Sequence, residues 1–278
     1  MGLASTAGPR RPSIIIQPTG NEPPSYARGM RALVDDGVPF LVGGALALAA
    51  YCGIRRFTKD LDLFLREEDV PRALETLARA GFRTETPYPH WLAKAHDGEG
   101  QVFIDVIFSS GNGAAPVDPE WFAYAQDALV LGIVVPLCPP EETLWSKAFV
   151  MERERYDGAD VAHLLLACAP TLDWERLLRR FGAHWRVLLA HLVLFGYVFP
   201  DEAERVPRWV TDELFERLRR EAAHPVSGEQ TRVCRGTLLS REQYLPDLAR
   251  GWRDARLQPT GHMSEDAVAI WTDAIPRR

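Results

Sequence analysis

The sequence predicts an α+β fold: a mixed sheet with flanking helices, followed by an all-helical C-terminal domain. Three observations carry this. Short apolar runs of strand type occur at 38–42, 60–65, 102–108 and 133–137, and those at 60–65 and 102–108 alternate with a period of two. Helical spacing separates them, most clearly at 68–80. After Pro139-Pro140 the strand pattern stops and helical spacing continues to the end. The expected organisation is an N-terminal arm at 1–25, a sheet domain at 26–138 and a helical domain at 139–278.

Residues 1–25 are rich in proline, glycine and small polar residues and read as a tail or docked arm, in which Ile14-Ile15-Ile16 suits an edge strand. Residues 26–36 have the spacing of a first helix. The strand at 38–42 is broken by Gly43 and Gly44, and 45–51 has helical composition. The second strand is 60–65. In 68–80, Val70, Leu74 and Leu77 share one face and Gly81 stops the helix. Candidate strands at 82–86 and 90–95 flank a proline-containing turn. After the strand at 102–108 come a loop at 111–115, a short helix at 118–128 with aromatic contacts from Trp121, Phe122 and Tyr124, and the last strand at 133–137. Helices are then expected at 141–154, from about 157–160, and at 173–181, 185–196, 208–222 and 241–253. Trp174, Trp185, Trp209 and Trp252 supply large core or groove surfaces there.

The 278 residues are 46% hydrophobic and 25% charged, as in ordinary globular proteins. A net charge of −6 disfavours a surface given over to polyanions but leaves room for a local basic patch. No uninterrupted apolar run approaches the roughly 20 residues of a membrane span, and the N-terminus lacks a secretory pattern. Cys52, Cys138, Cys168 and Cys234 are scattered in apolar surroundings and read as reduced thiols, so a cytoplasmic setting without a membrane partner is expected. P-loop, Cys-x-x-Cys and Gly-x-Ser-x-Gly motifs are absent from the sequence. His184 and His191 are seven apart with no third ligand in register, which reads as two ordinary helix histidines.

The chemistry concentrates between residues 41 and 65. In a strand, residues i and i+2 share a face, so Asp60 and Asp62 project together while Leu61, Leu63 and Leu65 point into a core. Adjacent acids repel, and a divalent cation offsets that cost; two solvated acids at a strand end is the plainer reading. Upstream, a strand, Gly43-Gly44 and a helix start present backbone N–H groups, an arrangement suited to phosphate. Asp105 sits mid-strand in the apolar run 102–108, where an acid is costly unless paired or metal-bound. It reads either as the third acid of a metal site or as a carboxylate satisfied by arginine or backbone donors. Lys147, one of three lysines, has apolar flanks at Leu144, Trp145, Ala148 and Phe149.

Gly-Gly, a helix and Thr58-Lys59-Asp60-Leu61-Asp62-Leu63-Phe64 together resemble the nucleotidyltransferase superfamily, with its polymerase-β-like fold. Within it, Arg56-Phe57-Thr58-Lys59-Asp60-Leu61-Asp62 is most similar to the Arg-x-Thr-x-Asp-hydrophobic-Asp of the AbiEii-type toxins of type IV toxin–antitoxin systems. The resemblance spans about 38 to 165. It implies Mg²⁺- or Mn²⁺-dependent transfer of a nucleoside monophosphate from an NTP such as ATP to a hydroxyl. Asp60 and Asp62 would bind both ions. Asp105 would bind the catalytic ion and help deprotonate the acceptor. Gly43, Gly44 and Thr58 would belong to the nucleotide site, with Lys147 on the triphosphate. Asp157 and Asp160 would cap a helix and orient basic residues or assist the acceptor; a plain helix N-terminus explains them equally well. Tyr156 stands where the family carries a second basic residue.

The toxin branch implies RNA, such as tRNA, or protein as acceptor, and an antitoxin partner. Antibiotic-type small-molecule transferases and a non-catalytic nucleotide- or partner-binding module are the alternatives. Arg232, Arg235, Arg241, Arg250, Arg253 and Arg256, interleaved with Tyr244 and Trp252, read either as a phosphate-binding groove or as a solvated face paired with Glu242, Asp247 and Asp254.

Overall fold

The computed structural model describes residues 14–16, 22–56, 59–98, 102–224 and 232–275. An eight-stranded mixed sheet is built from β1 (Ile14–Ile16), β2 (Leu41–Val42), β3 (Asp60–Phe64), β4 (Phe82–Tyr88), β5 (Leu92–Asp97), β6 (Val102–Ile107), β7 (Gln126–Val130) and β8 (Ile133–Leu137). Its spatial order is β1-β7-β8-β2-β3-β6-β5-β4. At its centre β3 runs parallel to β6 and antiparallel to β2. The edge strand expected at 14–16 pairs with β7.

Alternation decides which face each side chain takes. Leu61, Leu63, Ile104 and Val106 are fully buried on one face, against Met30 and Leu33 of α1 (Pro24–Asp35) and Ala73 and Leu77 of α3 (Val70–Arg79). The other face carries Asp60, Asp62 and Phe64. It is covered by α2 (Gly44–Cys52), α4 (Pro119–Ala123) and the helices that follow. There Phe64 stacks on Trp121, with ring centroids 5.2 Å apart.

The C-terminal region comprises α5 (Pro140–Ala148), α6 (Gly158–Cys168), α7 (Trp174–Phe181), α8 (Trp185–Val198), α9 (Arg208–Ala223), α10 (Leu245–Ala249) and α11 (Glu265–Asp273). A two-residue parallel pair, β9 (Val233–Cys234) with β10 (Arg253–Asp254), is inserted among them. Buried charge ties α7 to the sheet layer: Arg176 meets Glu141 at 2.5 Å and Glu142 at 2.6 Å, and Arg180 meets Glu142 at 3.0 Å and Asp118 at 2.5 Å. Among the described residues, only the run Trp174–Val198 has the length and apolarity of a membrane span. Gly182, at φ +45°, breaks it, and Leu188, Leu192 and Phe195 of α8 pack into the core.

Four elements differ from expectation. The helix expected at 118–128 stops at Ala123, and 126–130 becomes β7, paired to β8 through a two-residue turn at Leu131-Gly132 with both φ values positive. The helix expected at 141–154 ends at Ala148. A tight hairpin follows, bridging Met151 to Tyr156, and Glu152 in it accepts bonds from Ser240 and the Arg241 N–H. The segment 241–253 holds only the short α10, because Arg253 is drawn into pairing with the strand at 233–234. The helix α11 was not expected at all.

Candidate active site

The alternation that buries the leucines also assembles the acids. Asp60 and Asp62 share a face of β3, and Asp105 is the register partner of Asp62 on β6. One carboxylate oxygen from each lies within 4.8 Å of the others. Burial pushes Asp62 up to about 7, helped by the negative charges of Asp60 and Asp105 and opposed by Lys147 and Arg155. Burial also raises Asp105, against the pull of Lys94. Lys94 is the register partner of Asp105 on β5; its Nζ lies 2.5 Å from Asp105 Oδ1 and over the ring of Phe103. Three converging hard oxygen donors fit a divalent cation.

Gly44 makes room for this cluster. It opens α2 at φ +54°, and a Cβ there would overlap the Asp62 carboxylate. A Cβ on Gly43 would overlap the Phe64 ring, and the Gly43 N–H donates to the Asp62 carbonyl at 3.0 Å. Gly44 and Ala45 line the cavity.

Facing the acids is a group of cations held by two other carboxylates. Lys147 Nζ lies 2.8 Å from Asp160 and 3.1 Å from Asp157. Arg155 donates twice to Asp157, each bond 3.1 Å, and Arg56 lies 2.6 Å from Asp160. Asp157 occupies the cap position of α6 but its side chain makes no capping bond. Burial raises its affinity for a proton, but Arg155 and Lys147 outweigh that and hold the carboxyl below its usual range. The structure thus groups Asp60, Asp62 and Asp105 on one wall and Lys147, Asp157 and Asp160 on another. Thr58 lies outside the described residues.

These walls enclose a cavity of about 900 Å³. Beyond Asp105 it is lined by Ser109, Ser110, Asn112, Trp91 and Trp271. Four of the residues here have no role assigned from sequence. Arg56 stands in the motif at 56–62, and Arg155 directly precedes Tyr156. Lys94 was on an expected strand, but its register opposite Asp105 was not legible. Trp271 gave no signal, since α11 reaches the site only through tertiary packing. The histidines behave as ordinary ones: His191 is buried with Nε2 2.8 Å from the Ala148 carbonyl, and His184 packs edge-on against Phe149. In the basic cluster, Arg232 and Arg253 meet through their backbones at the β9–β10 pair. Arg256 is fully buried against Asp254, Arg250 lies 3.6 Å from Asp247, and Arg241 stacks on Trp271.

A family model described as "Uncharacterised nucleotidyltransferase" matches residues 30–194, more than half of the chain, so the chain belongs to this nucleotidyltransferase family. No curated protein sequence matches it significantly. Among solved structures it is similar to the antibiotic-resistance factor ANT(2'')-Ia, at 19% identity over 60% of this chain and 94% of that one, with a TM-score of 0.42. It is also similar to the lincosamide antibiotic adenylyltransferase LnuA in its lincomycin-bound form, at 14% identity over 49% of this chain and 90% of that one, TM-score 0.36. An antigenic nucleotidyltransferase-like protein from Paracoccidioides brasiliensis matches at 15% identity over 65% of this chain and 90% of that one, TM-score 0.42. Structural likeness at this level carries no argument about substrate.

Proposed function

We propose that the chain moves a nucleoside monophosphate from an NTP to an acceptor hydroxyl, with Mg²⁺ or Mn²⁺ held by Asp60, Asp62 and Asp105. The observation that carries this is the convergence of those three acids within 4.8 Å, in a cavity whose other wall presents Lys147 and Arg155. The acceptor oxygen bonds to the α-phosphorus while the bond from that phosphorus to its bridging oxygen breaks, and pyrophosphate leaves with the bridging oxygen. Asp105 takes the hydroxyl proton. The bound divalent ion supplies Lewis-acid stabilisation of the charge that develops on the phosphoryl oxygens. Lys147, Arg155 and Arg56 neutralise the triphosphate, and Asp157 and Asp160 hold those cations in place until it binds. Gly44 lets the nucleotide approach the first turn of α2.

Two acceptor classes remain. The AbiEii-type reading, with RNA such as tRNA or a protein as acceptor and an antitoxin as partner, rests on the motif at 56–62. A small-molecule acceptor is favoured by the cavity's charge: among its described lining residues, eight carboxylates stand against four cations. A non-catalytic module is disfavoured by the complete set of three acids, whose mutual repulsion serves no binding role without a cation.

The test is label transfer. The protein is incubated with each α-labelled NTP, with Mg²⁺ or Mn²⁺, and with total RNA, protein extract or a panel of hydroxyl-bearing antibiotics, using Asp62→Ala as control. Label that moves to an acceptor and is lost with the variant supports the reading and identifies the acceptor class. Absence of transfer to every acceptor, with NTP binding intact, sinks it.

A further inference from the structure

Resting on that transferase reading, we infer that Trp271 is a specificity-determining residue. Through it, the C-terminal helix α11 forms the acceptor-side wall of the cavity and limits the acceptor to a small molecule.

The chain reaches this wall by crossing back over the sheet domain. The Asn112 side chain donates to the Leu238 carbonyl. Gly113 lies against Met263, where a Cβ would come within 2.7 Å of the methionine side chain. Gly111 lies under the Trp271 indole, where a Cβ would come within 2.7 Å of the ring. The loop at 111–113 is thus shaped to receive the C-terminal segment rather than to stand free in solvent.

Trp271 is then held from several sides. Its ring meets Tyr88 edge-on at 5.0 Å and 89°, Trp91 at 5.3 Å and 76°, and His90 at 6.0 Å and 72°. The Arg241 guanidinium stacks on it at 4.7 Å. Trp271 in the last turn of α11 and Ile275 just past its end both line the cavity. The segment that receives Trp271 directly follows β6, the strand that carries Asp105, and Ser109 and Ser110 in that segment line the same cavity.

Size decides what this wall admits. Pockets that enclose drug-sized ligands measure roughly 300–1,000 Å³. A cavity of about 900 Å³ is filled by an NTP and one small acceptor. A folded RNA or a protein side chain on its backbone would have to displace α11 to bring a hydroxyl to Asp105. Edge-to-face rings and one stacked arginine are individually weak contacts, so truncating the indole opens this wall without touching the core beneath the sheet.

Two measurements test this, and the first needs no catalysis. A thiol is placed on the cavity lining with Ser109→Cys, and its modification is timed with a small methanethiosulfonate reagent and with a maleimide carried on a long polyethylene glycol, subtracting the rates of the parent protein. The small reagent is expected to react and the large one to be excluded. Adding Trp271→Ala is expected to raise the large reagent's rate at least tenfold, while Trp271→Phe keeps exclusion. Comparable rates for both reagents with Trp271 intact would overturn the inference, a result that stands even if the alanine variant fails to fold. So would exclusion that persists in a folded Trp271→Ala.

The second is label transfer to RNA and to small hydroxyl compounds. Small products only, with RNA labelled once Trp271→Ala is introduced, support the inference; RNA labelled efficiently by the unaltered protein overturns it. If nothing is labelled while the large reagent stays excluded, the transferase reading fails and the wall stands as the size limit on whatever the cavity binds.

Discussion

Two sets of partly or fully buried charges, one between α5 and α7 and one across β3 and β6, are built on opposite principles. Around α7, each buried acid faces a buried base: Arg176 bridges Glu141 and Glu142, and Arg180 bridges Glu142 and Asp118. Across β3 and β6, three acids face one another, and Asp62 holds its proton to about pH 7. The first arrangement compensates desolvation internally and is complete without a ligand. The second leaves repulsion in the apo protein that an added cation relieves. Pairing thus marks the architecture, and the convergence of three acids, of which Asp105 also holds Lys94, marks where a cation is expected.

The contrast breaks most easily at the paired site. Arg176→Met leaves Glu141 buried without its cation and Glu142 with Arg180 alone. It should cost about 3–5 kcal/mol of stability by urea denaturation, with the transferase chemistry affected only through unfolding. A loss under about 1 kcal/mol would show that the network is no more than a surface pair.

Asp62→Ala does the reverse. Activity should fall roughly 10²–10³-fold, about 2.7–4 kcal/mol of barrier, while apo stability at pH 8 is unchanged or improved. A variant that is both active and destabilised would assign Asp62 to the fold instead.

The pH dependence sharpens the comparison further. The folded-state value of Asp62, about 7, lies above its ordinary 3.8, so the native state holds more protons between those values. The contribution of Asp62 to the stability of the metal-free protein should therefore fall as pH rises from about 4 to 7, by on the order of 2 kcal/mol, while His90, His184 and His191, all lowered by burial, act in the opposite sense over the same range. Asp157 and Asp118, both lowered by their cations, lose their contribution only as pH falls below the ordinary carboxylate range, outside this window. In chelator, the melting temperature of the parent relative to Asp62→Asn should decline between pH 5 and 8, and saturating Mg²⁺ should reverse that decline near pH 8.

The smallest expected effect belongs to the cations facing the triad. Lys147→Met should raise the NTP KM roughly tenfold, about 1.4 kcal/mol, and leave Mn²⁺ binding to the apo protein in place. Loss of Mn²⁺ binding instead would move Lys147 into the support of the acid cluster.

Much of the sheet was legible because strand alternation is a local property. Leu61, Leu63 and Leu65 against Asp60 and Asp62, and Ile104 and Val106 against Asp105, each declare a face without reference to the rest of the chain. The strand at 126–130 was not legible. Its hairpin turns on Leu131, a residue at positive φ that carries none of the usual turn signals. The break in 241–253 was hidden for a related reason, since the competing partner of Arg253 lies at Val233, about twenty residues upstream.

What the sequence determined by itself was the fold class and the faces: which acids point away from the core, and where the glycines and proline pair interrupt the pattern. Tertiary structure alone decided register and closure. It set Asp105 beside Asp62 and Lys94 beside Asp105, turned Asp157 and Asp160 from helix-end acids into holders of Lys147, Arg155 and Arg56, and brought Trp271 into the cavity lining. The physical reason is range. Periodicity is set by covalent geometry over a few residues, whereas register and wall placement are set by contacts between segments distant in sequence, whose free energy appears only when the whole chain is packed.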